Sequence, residues 1–198
     1  MRTDKKIFQL TYLSIMTAIV ILLQFAGSFI RFGTFSVSLV LLPIVLGVVV
    51  GGPLAGLWLG LWLGLVFGVT VLASGDATLF LQIHPFGTVL TVLVKGMLCG
   101  FGAGLAYDLL KKRNQYLATL AAAIVCPLIN TGIFLLGTRV FFWGWVSEMS
   151  SGAGSLAWAW VFVALIGANF FFELIVNIVL SPLVIRLINV TKLRHFMK

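Results

Sequence analysis

Apolar residues run along this chain in long unbroken stretches. They show neither the alternation of a half-buried strand nor the single stripe of a surface helix. Six stretches stand out, at about residues 7–30, 35–50, 54–73, 86–110, 116–142 and 157–188. Polar or turn-forming breaks separate them: Arg31-Phe32-Gly33-Thr34, then Gly51-Gly52-Pro53, then a loop from Ser74-Gly75-Asp76 to His84-Pro85. The basic cluster Lys111-Lys112-Arg113 closes the fourth stretch, and a segment rich in Trp, Gly and Ser over 143–156 follows the fifth. Crossing a bilayer takes about 20 residues of helix, with every backbone polar group satisfied internally. Stretches of this length predict helices, whereas a membrane β-barrel would show shorter, alternating segments. The expected fold class is an all-α integral membrane protein, a six-transmembrane-helix bundle forming one domain over 1–198. The second span is the shortest, and Pro43 interrupts it.

Composition strengthens this expectation. Hydrophobic residues make up 61% of the chain and charged residues only 9%, and the mean hydropathy is +1.17. A water-soluble domain carries about 25% charged residues, and a chain this short cannot bury so much apolar surface within itself. The net charge of +8 does not indicate nucleic-acid binding, because the basic residues sit at span ends rather than along one face. Their distribution orients the bundle instead. Arg2, Lys5, Lys6, Lys111, Lys112, Arg113, Lys192, Arg194 and Lys198 fall on one side, and Arg31 and Arg139 on the other. The positive-inside rule then makes both termini cytoplasmic, in a multi-pass protein of the cell membrane. The connections at 31–34, 74–85 and 143–156 face outward, and the first apolar run is too long for the core of a cleaved signal peptide.

A few polar residues interrupt the spans. Each needs a reason, since a charged side chain at the bilayer centre costs about 2.5–3.5 kcal/mol on insertion scales. Counted from Phe86 at about 1.5 Å per residue, Lys95 stands roughly 14 Å deep. Asn169, Glu173 and Asn177 share one face of the sixth span at four-residue spacing, and Asn130 follows Pro127 in the fifth. Two arrangements fit: Lys95 and Glu173 pair to hold the bundle, with the asparagines as interhelical glue, or all five line a polar cavity for a small hydrophilic ligand. Trp143, Trp145, Trp158 and Trp160 form an interfacial belt or a lid over a ring-bearing ligand. Trp58 and Trp62 suit packing or lipid contact, and His84 a loop position. Asp76 and Glu148 suit solvated loops or the edge of an entrance. Small residues recur every fourth position at Gly56, Gly60, Gly64 and Gly68, a pattern that packs helices closely within the chain or docks a partner.

The chain carries no phosphate-binding G-x-x-x-x-G-K-[ST] motif, no H-E-x-x-H and no G-x-S-x-G, and its two cysteines, Cys99 and Cys126, show no metal-ligand spacing. No catalytic group, metal site or cofactor is expected within it, and it is not expected to be an enzyme. No half of the chain repeats the other, as a secondary transporter often would. A binding subunit that draws its energy from elsewhere fits these features.

Four stretches resemble the substrate-binding S components of energy-coupling factor (ECF) vitamin transporters. Leu10-Thr11-Tyr12-Leu13-Ser14-Ile15-Met16-Thr17-Ala18 is similar to that family's first helix, whose Ala-x-x-x-Ala motif contacts the coupling subunit; here Ser14 replaces the first alanine. Phe35-Ser36-Val37-Ser38-Leu39-Val40-Leu41-Leu42-Pro43-Ile44 resembles the second helix. His84-Pro85-Phe86-Gly87-Thr88 through Lys95-Gly96 resembles the start of the fourth, and Asn169 through Asn177 with Ser181-Pro182 resembles the sixth. The resemblance implies capture of a water-soluble vitamin from outside and docking through Ser14 and Ala18. It also implies a transmembrane T component and two cytoplasmic ATPases that hydrolyse the ATP. The S component is then expected to topple in the membrane. Pantothenate suits Lys95, which offers a cation to its carboxylate, and the asparagines suit its hydroxyls and amide. Folate and riboflavin remain open, as do a stand-alone small transporter or channel and a membrane enzyme built on Lys95, Glu173 and His84.

Overall fold

In the computed structural model the described residues are 2–27, 31–32, 35–36, 40–74, 78–152, 154, 156–161 and 167–190. Helix dominates, for the reason the sequence gives: backbone donors and acceptors in apolar stretches find their partners within the helix itself. Helix α1 covers Arg2–Gly27. Strands β1 (Arg31–Phe32) and β2 (Phe35–Ser36) pair antiparallel, with Arg31 opposite Ser36. Then come α2 (Leu41–Ser74), α3 (Thr78–Ile83), α4 (Pro85–Leu110), α5 (Gln115–Phe141), α6 (Trp143–Gly152), α7 (Ala157–Trp160) and α8 (Gly167–Val190). Among the described residues, four segments are long and apolar enough to cross a membrane: Ile7–Gly27, Leu41–Thr70, Pro85–Leu110 and Gln115–Phe141.

The second of the expected breaks, Gly51-Gly52-Pro53, appears inside α2. Gly52 has φ 73° and ψ −165°, a backbone state that a side chain disfavours, and Pro53 follows it. The chain folds back there. Leu59 packs against Gly47 and Val48 against Gly56, pairs that a straight helix would hold about 18 Å and 12 Å apart. The arm 53–74 rises about 33 Å, enough for a hydrocarbon core of about 30 Å, while the arm 41–51 rises only about 16 Å. The second expected span, 35–50, is therefore corrected at its start: residues 35–36 pair as a strand, and helix begins at Leu41. The short arm is deeply enclosed, with Leu41, Ile44, Val45 and Val48 fully buried. Around it lie Val20 of α1, Leu59 and Leu63 of the long arm, Cys99 and Ala103 of α4, Ala122 of α5 and Val184 of α8.

The long arm and α4 meet backbone to backbone. A Cβ added at Gly60 would overlap the Gly96 carbonyl, and one added at Gly56 would overlap the Gly100 carbonyl. The repeat Gly56, Gly60, Gly64 is thus spent on packing within the chain. Gly68, one turn further, has nothing near it. Helices α4 and α5 form a hairpin whose turn is closed by Asn114, which accepts from the amides of Tyr116 (2.8 Å) and Leu117 (3.3 Å).

Two expected loops contain helices. The 74–85 connection holds α3, and the 143–156 connection holds α6. The sixth expected span, 157–188, is described only as α7 and α8, with 162–166 outside the described residues. Asp76 and the basic residues Lys192, Arg194 and Lys198 also lie outside them.

Candidate functional site

Lys95 stands on α4, one turn after Thr91 and one turn before Cys99. Its ammonium lies 4.7 Å from the centre of the Phe67 ring on the long arm of α2 and 5.7 Å from that of Phe134 on α5. Cations placed over aromatic faces in this way gain about 0.5–2 kcal/mol, which offsets part of the cost of taking the charge out of water. Glu173 of α8 is 4% exposed and close enough to act electrostatically on both Lys95 and Cys126. Four helices thus converge on one cation.

Two of these helices, α5 and α8, add further side chains at four-residue spacing, most of them polar. On α5 the series is Cys126, Asn130 and Phe134; on α8 it is Glu173, Asn177 and Ser181, all three buried. Asn177 donates to the Glu173 carbonyl (2.8 Å), fixing one end of its amide, while its Oδ1 is buried with no partner among the described residues. Asn130 Oδ1 and Thr91 Oγ1 are in the same condition. Buried acceptors without partners are uncommon and costly, and three lie here among the described residues. The Cys99 and Cys126 thiols meet across the α4–α5 interface, and Cys99 also donates to the Gly96 carbonyl (3.1 Å).

Aromatic rings cover one side of this cluster. Phe134 meets Phe80 of α3 edge-on at 6.2 Å, and Phe80 in turn meets Phe142 at 5.0 Å and Trp145 of α6 at 5.4 Å. Both helices inside the expected outer loops therefore contribute to one aromatic cap, joined to Lys95 through Phe134. Trp143 packs on Trp158 (4.7 Å) and carries the Arg139 guanidinium over its ring (4.6 Å). His84 is the N-cap of α4; its Nδ1 accepts from the Gly87 amide (2.9 Å), and its ring leans on Phe141 (5.2 Å). Among the described residues no three His, Cys, Asp or Glu side chains converge as a metal site would require.

The family model described as "ECF transporter, substrate-specific component" matches residues 8–187, most of the chain. The chain belongs to that family. Neither the curated proteins nor the solved structures contain a match. As an ECF S component, it is a multi-pass membrane subunit that gives a transporter its substrate specificity, a role distinct from that of an enzyme.

Within this S component the structure brings Lys95, Glu173, Asn130 and Asn177 into one region. Asn169 stands in α8, but its side chain lies outside the described residues. Ser14 and Ala18 occupy a different surface, the outer face of α1. Both are exposed there, together with Ile7, Ile15 and Leu22, and Ser14 donates to the Leu10 carbonyl (2.9 Å). Phe67, Phe134 and Phe80 were not legible as site residues, because a phenylalanine in a helix that is apolar all round carries no facial signal. Trp145 was legible only as one member of a loop cluster.

Proposed function

We propose that this S component captures a water-soluble vitamin or related micronutrient at the Lys95 face and hands it to an ATP-driven import complex. The observation that carries this is the placement of Lys95 between two aromatic rings, beside Glu173 and three buried acceptors that have no partner among the described residues. A purely structural ion pair needs no unpaired amide oxygens around it; a site for a polar ligand does. The ligand reaches the site from the outer side, past the aromatic cap of α3 and α6. Lys95 receives its anionic group, and Asn130, Asn169, Glu173 and Asn177 take its hydroxyl and amide groups.

Pantothenate is the specific ligand named, since it combines one carboxylate with two hydroxyls and an amide. Both termini face the cytoplasm of a cell membrane, where the basic residues at the span ends meet the anionic leaflet. A T component docks on the exposed α1 face through Ser14 and Ala18, and two cytoplasmic ATPases supply the energy, so the chain itself needs no cofactor. Titration of the detergent-purified chain with pantothenate, followed by calorimetry, tests the ligand. Saturable one-to-one binding that is lost in Lys95→Ala supports it. Absence of heat with pantothenate, alongside binding of another vitamin, replaces the ligand and keeps the site. Undiminished binding in Lys95→Ala removes Lys95 from the site. Uptake of the ligand by liposomes that hold this chain alone would favour a stand-alone transporter.

A further inference from the structure

His84 stands apart from the polar cluster at Lys95, at the joint between α3 and α4. It is exposed, its backbone is extended (φ −151°, ψ 84°), and α4 starts from it. Its amide donates to the Phe80 carbonyl (3.0 Å), which closes the last turn of α3. Its carbonyl accepts from the Thr88 amide and the Thr88 hydroxyl, each at 3.0 Å. Its Nδ1 accepts from the Gly87 amide (2.9 Å). Its ring lies 5.2 Å from that of Phe141 and 6.5 Å from that of Phe142. Phe142 in turn supports Phe80, the ring that joins the aromatic cap to Phe134. The joint is tight, since a Cβ added at Gly87 would lie 2.6 Å from Phe141 Cγ and 2.9 Å from His84 Nδ1.

We infer that His84 is a positioning residue for the aromatic cap and makes it sensitive to pH: the neutral imidazole pins α3 to the start of α4, and the imidazolium releases it. The consequence for transport, a cap that opens more readily in acid, rests on reading the Lys95 face as the ligand site; the geometry of the joint does not. Nδ1 accepts from Gly87 through its lone pair, so the neutral ring carries its proton on Nε2. A second proton makes both nitrogens donors, and flipping the ring restores no acceptor. The imidazolium then meets the Gly87 amide and the positive end of the α4 dipole, and both repel it. Gly87 is packed on Phe141, so the ring has no room to yield inward. It swings to solvent, and Phe141 and Phe142 lose its support. Few other ionisable groups stand on the surrounding elements. The described part of α3 and the first two turns of α4 carry none, and Lys95 follows about 16 Å along α4. α5 brings Arg139, which lies over Trp143 (4.6 Å), and α6 brings Glu148. Among the described residues none of these is a hydrogen-bond partner of His84, and Asp76 lies outside those residues.

Amide hydrogen exchange of the ligand-free, full-length protein in detergent tests this. It is read by mass spectrometry over residues 80–88 at about pH 7.5 and about pH 5.5, either side of the imidazole range, and corrected for the intrinsic exchange rate at each. The expected result is a loss of protection of about fivefold at the lower pH, the worth of one helix cap. The Asn114 cap of α5 does not titrate, so the amides of Tyr116 and Leu117 should keep their protection in the same sample. With no ligand present, the result is independent of which vitamin binds and of whether Lys95 binds it. His84→Asn, whose side-chain oxygen caps without titrating, should stay protected at both pH values. His84→Ala should lack the protection at both, with a thermal melt to confirm that each variant folds. Equal protection of the wild type at the two pH values overturns the inference, as does the same acid-dependent loss in His84→Asn.

Discussion

The two faces of α4 are built on opposite principles. One face meets the long arm of α2 with glycines on both sides, and the helices touch through their backbones at Gly60–Gly96 and Gly56–Gly100. At these glycine contacts the backbones meet with no side chain between them, and the Lys95 ammonium reaches the long arm only further along, over Phe67. The other face meets α5 and α8 with Lys95, Thr91, Asn130, Glu173 and Asn177, and Thr91 Oγ1, Asn130 Oδ1 and Asn177 Oδ1 have no partner among the described residues. Lipid offers little hydrophobic drive for helix association, so close backbone packing has to hold the bundle. With stability secured on one face, the other can carry charges and unpaired acceptors that would otherwise weaken the fold. The contrast separates what keeps the molecule together from what it uses.

The largest expected effect is on the packed face. Gly60→Ala forces a methyl group into the Gly96 carbonyl, and neither backbone can move away cheaply. The expected loss is about 3 kcal/mol, or roughly 6–12 °C in melting temperature, read by a thermal shift in detergent. Gly68→Ala, in the same repeat but facing nothing within 4 Å, should change the melt by no more than about 2 °C. Equal effects at the two positions would erase the distinction drawn here.

On the polar face the sign of the stability effect is expected to differ. The double variant Lys95→Met/Glu173→Gln removes both buried charges, a change that is often neutral or stabilising. It should melt no lower than the wild type yet bind ligand at least about 100-fold more weakly, roughly 2.7 kcal/mol. A large drop in melting temperature with binding intact would mean that the pair is structural. Phe134→Leu keeps an apolar side chain but removes the ring beside the ammonium and the edge contact with Phe80. Binding should weaken about fivefold, in line with one lost cation–π contact. Ala18→Leu alters neither face and should leave affinity unchanged, while slowing uptake by the assembled transporter severalfold in vesicles. Normal uptake would move the docking surface elsewhere. Outside both regions a modest effect is expected: Asn114→Ala removes the cap of α5 and should cost about 1 kcal/mol.

Much of the architecture was legible because lipid imposes simple rules. Continuous apolar stretches announced the helices, and Gly51-Gly52-Pro53 announced the reversal inside α2. The start of the second span was not legible. Phe35 and Ser36 continue an apolar run, yet they pair with Phe32 and Arg31 in a register fixed by the chain reversal between them. Helices α3 and α6 were hidden because short helices in polar connections lack the apolar length that marks a span. At the Lys95 face the polar residues were conspicuous one by one, as every ionisable group in an apolar span is. Their aromatic neighbours were not, since which side of a uniformly apolar helix faces inward is settled by its packing partners. The short arm 41–51 shows the same limit: its full burial follows from being surrounded, and its sequence resembles that of any lipid-facing helix.

The most direct test of the Lys95 site is native mass spectrometry of the protein purified without added vitamin, comparing wild type with Lys95→Met/Glu173→Gln. The account predicts a small, water-soluble molecule bearing an anionic group, released from the wild type on denaturation and absent from the folded double variant. Recovery of the same molecule in the same amount from both proteins would contradict it.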